Sequence, residues 1–76
     1  MNRERRKTLR GIADQIEVLQ LKLEELQAEE EEYRDSFPEN LQSCERYECA
    51  EAACEALSEA IDNLEDAVSN IEDTIA

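Results

Sequence analysis

Two runs of heptad spacing, one on each side of the only proline, constrain this chain more than any other feature. Before Pro38, Leu9, Ile12, Ile16, Leu19, Leu23 and Leu26 step alternately by three and four residues, and the pattern continues through Glu30 and Tyr33 to Phe37. After it, Tyr47, Ala50, Cys54, Leu57, Ile61, Leu64, Val68, Ile71 and Ile75 keep the same alternation. Apolar residues spaced in this way fall on one stripe of an α-helix and mark a coiled-coil seam. Proline removes a backbone donor and disfavours helical geometry at the residue before it. The pattern predicts one domain with a helix over 3–35, a turn over 36–42 and a helix over 43–75. Ser43 is the expected N-cap of the second helix, with Glu45 favourable in its first turn. Pro38 to Leu41 reads as a single helical turn, with Phe37 and Leu41 closing the end of the hairpin.

The fold class is all-α: an antiparallel two-helix coiled-coil hairpin. A net charge of −13 would by itself suit a disordered chain, but the regular apolar spacing opposes that. One glycine and three aromatic residues are too few for a loop-rich globular core, and enough for long helices.

A fold-back near residue 40 predicts partner numbers summing to about 80. Leu9 then meets Ile71, Ile16 meets Leu64, Leu23 meets Leu57, and Tyr33 meets Tyr47. Charge supports the same pairing. Residues 1–10 carry Arg3, Arg5, Arg6, Lys7 and Arg10 against Glu4, a net +4, while the other 66 residues carry −17. Cations at a helix N-terminus oppose its dipole, and so does Glu29-Glu30-Glu31-Glu32 at the other end of the helix. In the hairpin the basic segment is expected beside Glu65, Asp66, Glu72 and Asp73.

Ala53, Ala60 and Ala67 recur every seven residues beside the second seam. Small residues at that spacing widen the apolar face and let another helix approach closely. Two stripes facing only each other leave each helix covered on one side. A homodimer of hairpins, forming a four-helix bundle through the Ala53, Ala60 and Ala67 flank, is therefore expected. Val18 and Leu21 are the next interface candidates. They and Ala28 read either as a second stripe or as scattered surface residues.

The sequence offers no enzyme motif. It has no histidine, no glycine-rich phosphate loop and no nucleophile with a base partner. No catalytic residue, cofactor or metal ligand is expected. Cys44, Cys49 and Cys54 are five residues apart, which turns neighbours to different sides of a helix and sets up no shared metal. They read as reduced thiols, Cys54 as a small hydrophobe on the seam and the others at or near the surface. No apolar run is long enough to cross a bilayer, and none follows the basic N-terminus, so a cytoplasmic location is expected. Five basic residues against a strongly acidic remainder do not make a nucleic-acid or membrane surface.

The centre of the chain carries a resemblance. Pro38-Glu39-Asn40-Leu41-Gln42, followed by Ser43, Glu45, Arg46, Tyr47 and Glu48 with Cys44 inserted between Ser43 and Glu45, is similar to a group of small acidic proteins of bacteria and their phages. These begin with a basic segment rich in Met-Asn-Arg/Lys, carry Pro-Glu-Asn-Leu-Gln and Ser-Glu-Arg-Tyr-Glu, and end in a repeated acidic helix. The resemblance implies a helical hairpin of phage or mobile-element origin, and brings neither a catalytic residue nor a substrate. Two functions are consistent with all this. One is a structural or protein-interaction bundle. The other is an acidic mimic of nucleic acid that occupies a DNA- or RNA-binding protein.

Overall fold

A computed structural model describes residues 1–76 as two helices and a short connection. Helix α1 spans Arg3–Asp35, helix α2 spans Glu45–Ile75, and one 3-10 turn lies between them at Glu39–Leu41. The helices pack along their length into a rod of 59 × 15 × 14 Å, with no strand. The all-α class and the two packed helices agree with the heptad pattern.

The ends of α1 are set locally. Asn2 is extended, and its side-chain oxygen accepts from the Arg5 N–H at 2.8 Å, which satisfies one of the orphan donors of the first turn. At the other end the Ser36 N–H donates to the Glu32 carbonyl at 3.0 Å, and Pro38 then holds the chain extended. The Leu41 N–H donates back to the Pro38 carbonyl at 2.9 Å, and the Cys44 N–H to the Leu41 carbonyl at 3.1 Å. That turn carries the chain past Ser43. Helix α2 therefore begins at Glu45 with Cys44 as its N-cap, and the cap makes no side-chain hydrogen bond. The expected cap at Ser43 is displaced by these two bonds.

Phe37 closes the end of the hairpin by packing edge-on against Tyr33 and Tyr47, at centroid distances of 5.2 and 5.8 Å. Leu41, expected beside it, is exposed. Because Phe37 sits on Tyr47, the connection lies beside the first turn of α2. The fold-back is thereby shifted. The Gln20 Nε2 donates to the Glu65 Oε1 at 3.1 Å across the helices, which makes partner numbers sum to about 85 instead of 80. Leu9 falls opposite Ala76, and residues 3–8 face nothing on α2. No salt bridge joins the basic segment to Glu65, Asp66, Glu72 or Asp73, and of that segment Arg10 alone lines a groove with one of them, Glu72. The one salt bridge joins the neighbours Arg34 and Asp35 at 3.0 Å.

The register shift accompanies a turn of α1 about its axis. On α2, every seam residue from Tyr47 to Ile75 is at least half-buried, and Ala50, Cys54, Ile61 and Val68 are buried. On α1, one row of the expected seam, Leu9, Ile16, Leu23 and Glu30, faces the partner helix. The second facing row is Ala13, Gln20, Gln27 and Arg34, where Ile12, Leu19, Leu26 and Tyr33 were expected. Those four are 41%, 54%, 53% and 46% exposed. Moving the seam centre from one pair of rows to the other is a rotation of about 50°. Gln20, Gln27 and Arg34 tolerate the inner row because their stems cover apolar surface while their polar tips reach the edge.

Candidate functional site

The outer row of α1 and the alanine flank of α2 lie on one side of the hairpin. Glu30 and Tyr33 of α1 line a single groove with Glu45, Arg46 and Ala53 of α2. Residues seven apart on a helix keep nearly one direction. Ile12, Leu19 and Leu26 therefore follow Tyr33, and Ala60 and Ala67 follow Ala53, along the same side. The result is a ribbon of large apolar side chains next to a shallow strip of half-buried alanines. The alanines make little protrusion of their own and leave room for side chains arriving from outside.

Val18 and Leu21 do not join this ribbon. Leu21 lines the opposite groove with Glu17, Gln20, Glu65 and Val68. Val18 lies two residues beyond Ile16 and points away from α2 on the helical wheel. Both are exposed, at 53% and 59%. The opposite side is acidic, since Glu24 and Glu31 continue the row of Glu17 on α1, and Glu72 continues that of Glu65 on α2. No basic side chain pairs with any of these.

Surface area gives the ribbon weight. A compact monomer of 8.7 kDa exposes about 4,700 Å², whereas this chain exposes 5840 Å². Only five of 76 residues are buried, and four of the five lie on α2. Helix α1 contributes only Ala13 to that core. The sequence pattern detected the apolar rows but not which two of three adjacent rows would face α2. The signal available was the alternation Ala13, Gln20, Gln27, Arg34: small or long-stemmed residues that can sit half-covered.

The cysteines show no arrangement for chemistry. Cys49 is exposed, Cys44 half-buried and Cys54 buried. Burial pushes the Cys54 thiol above its ordinary pKa, and nearby Arg34 offsets part of the rise. A thiol held protonated is a poor nucleophile. The hydrogen bond from Arg34 to Asp35 raises the guanidinium above its own usual value. No three Cys, Asp or Glu side chains converge as metal ligands. Glu29 to Glu32 fan around α1. No helix is long and apolar enough to cross a membrane.

The chain matches no protein-family model, no curated protein and no solved structure.

Proposed function

We propose that this protein is a non-enzymatic interaction module, whose first partner is a second copy of itself, completing a four-helix bundle in the cytoplasm. The observation that carries this is the exposed row Ile12, Leu19, Leu26 and Tyr33 beside the Ala53, Ala60 and Ala67 flank. Scattered exposed leucines are ordinary on a monomer, but a row at heptad spacing beside a strip of alanines is the inner face of a bundle helix pair. A further protein partner would use the faces that such a bundle leaves open. The resemblance of the turn to acidic proteins of bacteria and their phages adds a phage or mobile-element origin to the proposal.

The test is mass by light scattering over a dilution series, for wild type and Ala60→Glu. A dimer at tens of micromolar is expected, with Ala60→Glu dissociating at higher concentration because overpacking and a charge both enter the contact. A wild-type monomer across the whole series ends the reading.

A second reading rests on the other side of the rod. Glu17, Glu24 and Glu31 with Glu65 and Glu72 form an acidic face on which no salt bridge is made, with Arg10 at one end beside Glu17 and Glu72, which favours a mimic of nucleic acid aimed at a basic DNA- or RNA-binding protein. Heptad rows space carboxylates about 10.5 Å apart along each helix, coarser than the phosphates of one strand. For this reason it stands second. A mimic displaces duplex DNA from such a protein and loses that ability on Glu17→Gln, Glu24→Gln and Glu31→Gln together. Under either reading the basic end does not bind nucleic acid. A salt-sensitive gel shift that Arg5→Ala with Arg6→Ala abolishes is the result against it.

A further inference from the structure

We infer that the contact between copies is made by α1 against α1 of a second chain, antiparallel and centred on Leu19. This rests on the self-assembly reading above and adds the pairing and its direction. Three observations meet at the same register.

First, the exposed row is symmetric about Leu19. Ile12 and Leu26 lie seven residues to either side of it, and Arg5 and Tyr33 fourteen. An isologous contact requires that residue i meet j while j meets i. Antiparallel pairing with numbers summing to 38 satisfies this: Leu19 meets Leu19, and Ile12 meets Leu26, twice. Second, α1 runs from Arg3 to Asp35, so its midpoint is Leu19 and the pairing overlaps the whole helix. Third, the charges match. Residues 1–10 carry +4, and residues 28–35 carry Glu29, Glu30, Glu31, Glu32 and Asp35 against Arg34, a net −4. The pairing brings the basic segment 3–10 level with the acidic segment 28–35 of the second copy, so that the two net charges face each other at both ends of the contact. Arg5 falls on the ring of Tyr33, a suitable cation–π partner, at the groove that Glu30 and Glu45 line. Within one chain the basic segment has no ion pair at all.

A parallel pairing of the same rows sets basic end on basic end and Glu29–Glu32 on its own copy, so charge selects the antiparallel direction. The pairing also places anions beside the N-terminus of α1 and cations beside its C-terminus, which suits both helix dipoles. The apolar ribbon makes the contact and the charged ends fix its direction.

The experiment is disulfide trapping in full-length chain carrying Cys44→Ser, Cys49→Ser and Cys54→Ala, with scattering measured on the same samples. Leu19→Cys is expected to oxidise to a covalent dimer. Ile12→Cys alone is expected to stay unlinked, because its copies lie about 21 Å apart along the helices. A mixture of Ile12→Cys and Leu26→Cys chains is expected to link heterologously. Reversing Arg3, Arg5, Arg6 and Lys7 to glutamate should weaken the dimer about tenfold or more, and adding Glu29, Glu30, Glu31 and Glu32 to lysine should restore it. Linking of Ile12→Cys to itself, or a dimer in which Leu19→Cys fails to link, overturns this inference and leaves self-assembly standing. A wild-type chain that scatters as a monomer removes both.

Discussion

The two helices have similar length and the same heptad phase, yet they spend their apolar residues differently. Helix α2 places its large side chains, Ile61 and Val68, against α1 and puts alanines on the neighbouring row. Helix α1 divides them otherwise. Of its two rows against α2, one holds Leu9, Ile16 and Leu23 and the other Ala13, Gln20, Gln27 and Arg34, while its large Ile12, Leu19, Leu26 and Tyr33 face outward. A helix with three adjacent apolar or amphipathic rows has more face than one partner can cover. In α2 the surplus row is small and costs little exposed. In α1 it is large, and that asymmetry separates what holds the hairpin together from what remains available to another helix.

The sharpest way to break the comparison is to truncate one large residue on each helix. Ile61→Ala, at a buried position of α2, should cost about 2–5 kcal/mol of stability. Leu19→Ala, at an exposed position of α1, should cost under about 1 kcal/mol in dilute solution, because little burial is lost within the hairpin. Thermal melts followed by circular dichroism measure both. Repeating them at high protein concentration sharpens the contrast, since only the Leu19→Ala penalty should grow if its row is covered by a second copy. Equal penalties in dilute solution would show that α1 also buries Leu19 within one chain.

Enlarging the alanines tests the same asymmetry from the other direction. Ala50 is 2% exposed, the most enclosed residue of the chain. Ala50→Leu should strain the helix contact by about 1–3 kcal/mol, lowering the urea midpoint. Ala53→Leu, three residues on and half-buried at the groove, has open space beside it and should change the midpoint much less. The reverse order would place the alanine flank, and not Ala50, between the helices.

The hairpin was legible because its signals are local and redundant. Nine apolar residues from Tyr47 to Ile75 agree on one stripe, and Pro38 admits no continuous helix through it. The register was not legible, because it depends on one tertiary event. The packing of Phe37 on Tyr47 slides the pairing by several residues, and no spacing rule encodes that ring contact. The rotation of α1 was hidden for a related reason. Leu19 and Gln20 are adjacent, one rich in apolar area and the other able to reach Glu65, and only the position of the second helix decides between them. Of the candidate interface, Ala53, Ala60 and Ala67 could be named from periodicity. Ile12, Leu19, Leu26 and Tyr33 could not, since the same periodicity assigned them to the seam.

The helix starts provide a smaller comparison. Asn2 caps α1 through its side chain, while Cys44 at the start of α2 caps nothing. Asn2→Ala should therefore destabilise by about 1 kcal/mol. Cys44→Ser supplies an oxygen acceptor at a cap whose backbone is already extended, and should stabilise by a few tenths to about 1 kcal/mol. Chemical denaturation of both variants checks the pair. A Cys44→Ser chain no more stable than wild type would mean that the added hydroxyl leaves the first donors of α2 to water.

The smallest effect concerns Gly11, in the third turn after Asn2. It sits inside α1 with no positive φ, and an added β-carbon would meet nothing within 4 Å. Glycine there has no conformational reason, and it loses more backbone freedom on folding than alanine does. Gly11→Ala should stabilise by up to about 1 kcal/mol if the first turns of α1 are formed in the free hairpin. If those turns fray in the hairpin and form fully only against another helix, the gain should be small in dilute protein and should appear as tighter association. Helix content and scattering mass, measured together across a dilution series, separate the two outcomes. A gain in melting temperature that is the same at every concentration would show that the basic end of α1 is helical without a partner, and that Gly11 weakens it everywhere equally.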